Sequence, residues 1–152
     1  MYPVRRWAVR HASGLARCYR VFEKVLVVLH PLFQRVGYQR LDKPVAAVEK
    51  VVKGVLFDSQ MCGLCTLSAT GMSCPMNCPK HMRNGPCGGV RANGNCEVKE
   101  DMRCVWVEAW EGSQRMQGVE AIRLVQEPLD HRMKGTSSWL RAVRKRVGTG
   151  KD

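Results

Sequence analysis

Residues 62–104 read CGLCTLSATGMSCPMNCPKHMRNGPCGGVRANGNCEVKEDMRC, and this stretch decides the fold. It holds Cys62, Cys65, Cys74, Cys78, Cys87, Cys96 and Cys104, all but one of the chain's 8 cysteines. The gaps run two, eight, three, eight, eight and seven residues. A two-residue gap lets two thiolates converge on one metal from a tight turn, and Gly63 permits the unusual backbone angles such a turn needs. Cys74-Pro75 and Cys78-Pro79 repeat the ligand-then-proline habit of bacterial ferredoxin runs. Asn84-Gly85-Pro86-Cys87-Gly88-Gly89 and Asn93-Gly94 are turn-rich wraps around further thiols. From Asp58 to Glu100 no apolar period is sustained. Such a segment buries too little apolar surface to order itself, and metal ligation supplies the missing order.

By spacing alone, Cys62, Cys65, Cys74 and Cys78 form the most natural four-thiolate set. Cys87, Cys96 and Cys104 remain for a second site, with His81, a carboxylate, water or a partner residue as fourth ligand; the sets could equally interleave. One or two iron–sulfur clusters of the 4Fe-4S kind lead, and zinc accepts the same donors. His81 reads either as a ligand or as an exposed loop residue. Lys80 and Arg83 read either as cations offsetting thiolate charge or as solvated side chains.

The flanks are helical. Leu15, Cys18, Tyr19, Phe22, Val25, Leu26 and Leu29 recur at three- and four-residue steps, which predicts a helix closed by Pro31. Cys18 lies on that apolar stripe and is read as a core residue rather than a ligand. A second helix is predicted over Pro44–Leu56, capped by Asp42, with Val45, Val48, Val51, Val52, Val55 and Leu56 as its apolar face. After Cys104 the pattern returns, with Val105, Trp106, Ala109 and Trp110 on one side and both tryptophans read as core. Residues 117–136 look irregular. Ser137 or Ser138 caps a last short helix bearing Trp139, Leu140, Val143 and Val147. The predicted class is a small, mainly α, metal-stabilised protein, with N-terminal helices, an irregular cysteine-rich core and short C-terminal helices. Its predicted regions are 1–57, 58–116 and 117–152.

The 152 residues carry a net charge of +12. Residues 1–40 hold eight Lys/Arg against Glu23, and residues 131–152 hold seven against Asp152, while residues 41–130 are close to neutral. Basic arms suit an acidic protein surface, an anionic membrane or a nucleic acid. The cysteine region lacks both positive charge and an aromatic stacking surface, so no nucleic acid is expected. Membrane-surface contact through residues 1–29 or 137–147 is a weaker reading than docking on an acidic protein. No secretory signal is seen, and Val25–Leu29 is too short to span a bilayer. A cytoplasmic protein with reduced thiols is expected. Nothing marks a nucleophile–base pair, a phosphate-cradling glycine loop or a carboxylate pair, so a non-catalytic chain is expected.

Cys62-Gly-Leu-Cys65, Leu67-Ser68-x-Thr70-Gly71, Cys74-Pro75, Cys78-Pro79-Lys80, Asn84-Gly-Pro-Cys87-Gly-Gly89 and Gly94-x-Cys96-Glu97-Val98 together resemble the methylenetetrahydrofolate reductase C-terminal-domain-like family. The resemblance is specific from about Gln60 to Trp110. Members are fused to, or act as a small partner of, the flavin-dependent reductase barrel that converts methylenetetrahydrofolate to methyltetrahydrofolate. In acetogens the small subunit is associated with iron–sulfur binding, with zinc as a further option. The resemblance implies that the seven cysteines are metal ligands, that the partner is a flavin-dependent reductase, and that this chain is its accessory iron–sulfur subunit, relaying electrons or stabilising the complex. The other reading is a structural zinc module for protein–protein contact. The chain is too short for a complete (β/α)₈ barrel, which needs about 250 residues, and no flavin site is seen.

Overall fold

The computed structural model describes residues 2–117 and 119–148. Lys151 and Asp152, counted above in the basic tail, lie outside the described residues. Six α-helices run in order: α1 (Tyr2–Arg10), α2 (Ala12–Val28), α3 (His30–Val36), α4 (Tyr38–Phe57), α5 (Val105–Arg115) and α6 (Ser138–Val147). Short 3₁₀ turns lie at Pro75–Asn77, Val119–Arg123 and His131–Met133. Among the described residues there is no strand, only the isolated bridges Val90–Cys96 and Asn95–Arg103. The mainly helical expectation holds, and so does the irregular middle. No helix of the described residues is long and apolar enough to cross a membrane.

The first predicted helix is α2, although Pro31 plays a different part from the one expected. The helix ends at Val28, and Pro31 then sits in the first turn of α3, where a missing N–H costs nothing. Leu15, Tyr19, Phe22 and Leu26 are half-buried, and Phe22 meets Trp139 edge-on at 4.8 Å. Cys18 and Val25 face solvent, so the core reading of Cys18 is corrected. The stripe on α2 is narrower than its sequence period, because only α5 and α6 press on it from beyond its N-terminal neighbours.

In α4 the expected polarity is reversed. Val48, Val51, Val52 and Val55 are exposed, and the buried positions are Ala46, Glu49, Lys53 and Phe57. The helix starts at Tyr38, so Pro44 lies inside it and Asp42 is not its cap. Asp42 instead accepts a hydrogen bond from the Ser137 backbone N–H at 3.1 Å. An acid and a base one helical turn apart neutralise each other, and α6 supplies polar groups that complete them. That lets the charged face, rather than the valine face, go inward.

Packing brings the two ends of the chain onto its middle. α1 lies against α4 and α5, and α6 lies against α2 and α4. Ala8 and Ala12 are fully buried with Phe57, Leu67, Met72 and Cys74, their small side chains letting α1 and α2 approach closely. A second cluster joins Cys78, Cys96, Met102 and Val105, and a third joins Cys104, Trp106 and Ala109. Trp106 is core as expected, whereas Trp110 stays 48% exposed. The loop over 66–73 touches α5 backbone to backbone, since a Cβ on Gly112 would meet the Gly71 carbonyl. Across the same interface a buried pair, Arg5 to Glu108 at 3.3 Å, ties α1 to α5. Burial pushes the Glu108 carboxyl up, and Arg5 only partly restores it. Ser137 caps α6 as expected, accepting from the Leu140 N–H at 3.3 Å.

Candidate functional site

The turn Cys62-Gly63-Leu64-Cys65 is held from two sides. Gly63 has φ +75°, and a Cβ there would run into the Met133 carbonyl, so glycine is required on both counts. The Gly135 N–H donates to the Met61 carbonyl at 2.8 Å, and Arg141 Nη1 donates to the Gly63 carbonyl at 2.5 Å. From the other side, Arg83 Nη2 donates to the Leu64 carbonyl at 3.0 Å. Asn84 then pins the 83–87 loop to Gln126, giving one hydrogen bond and accepting another.

Cys62, Cys65 and Cys74 line one small enclosed cavity of about 20 Å³, with Glu49, Lys53 and Ser138 in its wall. Glu49 is 1% exposed and is the acceptor at the centre of the polar wall. It receives Lys53 Nζ at 2.6 Å, Ser137 Oγ at 2.8 Å, the Ser138 hydroxyl and the Trp139 N–H at 3.3 Å. Its charge thus sits at the N-terminus of α6, where the helix dipole favours it. Lys53 also donates to Ser138 Oγ at 2.7 Å and lies 5.4 Å from the centre of the Trp139 ring. Burial pushes the Lys53 ammonium down, but Cys65 and Glu49 outweigh burial and hold it above the ordinary lysine value. Burial pushes the Cys74 thiol up to about 11. Burial, and then Cys65, push the Tyr19 hydroxyl up as well.

The remaining predicted ligands fall elsewhere. Cys78 and Cys96 pack together in the second core cluster. Cys87 and Cys104 line an apolar groove of about 590 Å³ beside Trp106. Cys87 accepts the Gly89 N–H at 3.4 Å. His81 is exposed and shares a separate small pocket with Cys62. Lys80 pairs with Glu97. The fold therefore joins Cys62, Cys65 and Cys74, and places Cys78 with Cys96 rather than with that trio.

All eight cysteines are free thiols. Among the described residues, no three His, Cys, Asp or Glu side chains stand close enough together to hold a metal ion. By chemistry the donors suit a thiolate-held group, since three disulfide-free thiols border one cavity with a buried ammonium beside them, but they do not stand together at ligating distance.

The sequence reading missed Glu49 and Lys53, and read Ser137 and Ser138 only as caps. Ala46, Glu49, Lys53 and Phe57 do recur at three- and four-residue steps opposite the valines, but a face that carries an acid and a base reads as solvated until its partners on α6 are known.

A family model, methylene-tetrahydrofolate reductase C terminal, matches residues 38–132, well over half of the chain. The chain belongs to this family. The match begins at α4 and ends at the 3₁₀ turn over His131–Met133, so it contains all seven clustered cysteines and the Glu49–Lys53 pair. It leaves out α1 to α3 and α6, although α6 contributes Ser137, Ser138 and Arg141 to the site. No curated protein and no solved structure matches the chain.

Proposed function

We propose that this protein is a non-catalytic accessory subunit. It carries an iron–sulfur group on its clustered cysteines and docks on a flavin-dependent reductase of the methylenetetrahydrofolate type, relaying electrons or stabilising the complex. The observation that carries the reading is the shared cavity of Cys62, Cys65 and Cys74 with Lys53 at its edge. Family membership supports the choice of partner class. Cys62, Cys65 and Cys74 would hold the group, and Cys78, Cys87, Cys96 and Cys104, which the fold places elsewhere, would serve a second site. Such a group supplies one-electron transfer when bound. The chain's own residues orient and balance it: Arg83 and Arg141 fix the Cys62–Cys65 turn by its carbonyls, and Lys53 offsets thiolate charge. The location is proposed to be cytoplasmic, where such thiols stay reduced.

One observation favours a second reading, a structural zinc module for protein–protein contact. The cavity that Cys62, Cys65 and Cys74 border, about 20 Å³, has room for one water-sized body and not for a four-iron cluster. The two readings separate on purification without oxygen. Iron with matching acid-labile sulfide, a visible spectrum bleached by dithionite, and loss of both in Cys62→Ser are expected. Stoichiometric zinc with no sulfide would replace the first reading by the second.

A further inference from the structure

On the solvent side of the Cys62–Cys65 turn lies a cleft of about 530 Å³, between the 83 and 124–127 segments and α6. Arg83, Arg141, Arg144 and Lys145 line it, against Glu127 as its one carboxylate. That is a strongly cationic lining for a chain whose middle is neutral. The volume lies within the range of small-molecule sites, about 300–1,000 Å³.

Two of these cations are fixed in place without being neutralised. Arg83 spends Nε on the Glu127 carbonyl at 2.7 Å and Nη2 on the Leu64 carbonyl. Arg141 spends Nη1 on the Gly63 carbonyl, and Nη2 on Met133 Sδ at 2.8 Å and Thr136 Oγ1 at 3.3 Å. Because their anchors are consecutive carbonyls, the two guanidinium groups stand over the same turn. Among the described residues neither forms an ion pair. Glu127 pairs with Lys145 at 3.7 Å, and Asp130 is taken by Arg132 at 2.8 Å. Among the described residues each arginine also has one enclosed N–H with no acceptor, Arg83 Nη1 and Arg141 Nε. Buried donors left unmatched are costly, and a guanidinium fork matches the oxygens of phosphate.

We propose that this cleft is a binding site for a phosphate-bearing small molecule, with Arg83 and Arg141 holding the phosphate and Arg144 and Lys145 drawing it in from the rim. Carboxylates share the recognition chemistry, but the excess of cations over the single acid favours the group that carries more charge per unit. The cleft borders the proposed metal centre, sharing Gly63, Cys65, Thr66 and Ser138 with the wall of its cavity, but Arg83, Arg141, Arg144 and Lys145 lie outside that wall.

The test is calorimetric titration of the as-purified full chain at low salt with inorganic phosphate, pyrophosphate and citrate. Saturable binding of pyrophosphate is expected, weaker for citrate. Arg83→Lys and Arg141→Lys keep the charge and lose the fork, and each is expected to weaken pyrophosphate by about tenfold or more. Should either variant fail to fold by circular dichroism, the rim pair Arg144→Gln/Lys145→Gln decides, with the same direction expected. Arg17→Gln/Arg20→Gln, on the exposed side of α2, is expected to bind as the parent does. The rim pair is expected to keep the parent's iron, sulfide and zinc content while losing pyrophosphate affinity, so failure of the metal reading and failure of this one are distinguishable. No saturable binding of either phosphate would overturn the proposal. So would equal affinity in the cleft variants, loss of binding in the α2 variant, or citrate binding more tightly than pyrophosphate.

Discussion

Removing the Glu49 carboxylate tests the largest single electrostatic commitment in the fold. In Glu49→Ala, the Lys53 ammonium, itself 4% exposed, keeps Ser138 Oγ and Cys65 but loses its carboxylate, and Ser137 Oγ and the Trp139 N–H lose their acceptor. Breaking a buried pair by deleting one partner costs roughly 3–5 kcal/mol. That is a large share of the total stability of a domain, about 5–15 kcal/mol. With a urea slope of about 2 kcal/mol per molar, the unfolding midpoint should fall by about 2 M. The double variant Glu49→Leu/Lys53→Met removes both charges and keeps most of the volume. It should be more stable than either single variant, since a buried ion pair is often replaceable by apolar side chains. Urea melts of the parent, Glu49→Leu, Lys53→Met and the double variant, followed by far-ultraviolet circular dichroism, give the complete cycle. A midpoint shift in Glu49→Ala under about 0.5 M, or a double variant as unstable as the sum of the singles, would refute the coupling argued from the α4–α6 geometry.

Cys74 gives a pH prediction. Its thiol is protonated in the folded protein up to about 11 but ionises near 9.0 when unfolded, so the unfolded state binds fewer protons in between. The Cys74 contribution to metal-free stability should therefore be constant below pH 9 and fall as pH rises toward 11, by at most roughly 3 kcal/mol, and Cys74→Ala should lessen the alkaline fall while leaving the share due to Tyr19. In alkylation followed by mass spectrometry near neutral pH, the exposed Cys18 and Cys65 should label before Cys74; early labelling of Cys74 would contradict its burial. Gly112→Ala should destabilise by about 2 kcal/mol or more, because its Cβ meets backbone rather than a movable side chain. Gly14→Ala, on the open side of α2, should instead stabilise by about 0.5–1 kcal/mol, and thermal melts of the two variants should shift in opposite directions.

α2, α4, α5, α6 and the irregular middle were legible because they follow from local rules, whereas α1 and α3 went unread. The Ser137 cap, the return of period after Cys104 and the glycine–proline turns all act over a few residues. The inward face of α4 was not legible from that helix alone. Apolar period marks a stripe without saying what lies across from it, and the decisive partners of Glu49 stand 88 residues downstream. The same limit applies to Cys18, whose stripe outruns the neighbours that could cover it. Within the site, the seven thiols were plain from spacing, but their grouping was not. Cys78 turns toward Cys96 because the chain between them folds back through the Val90–Cys96 bridge, a contact no spacing rule encodes. Lys53 escaped notice because a lysine between valines reads as solvated until a second helix closes over it.

The clasp of residues 133–141 over the Cys62–Cys65 turn sets an order of events during synthesis. Arg141 leaves the ribosome 78 residues after the Gly63 carbonyl that it will hold, and Ser137 and Ser138 follow Glu49 at a similar delay. Through that interval the thiol turn is already outside the exit tunnel but lacks its clamp, and the acid and base of α4 have no helix to cover them. The nascent chain thus passes through a period in which the thiol cavity lacks its Ser138 wall, which ends when α6 docks. Any loading of the cavity from outside is easiest in that window, before the last helix shuts the door.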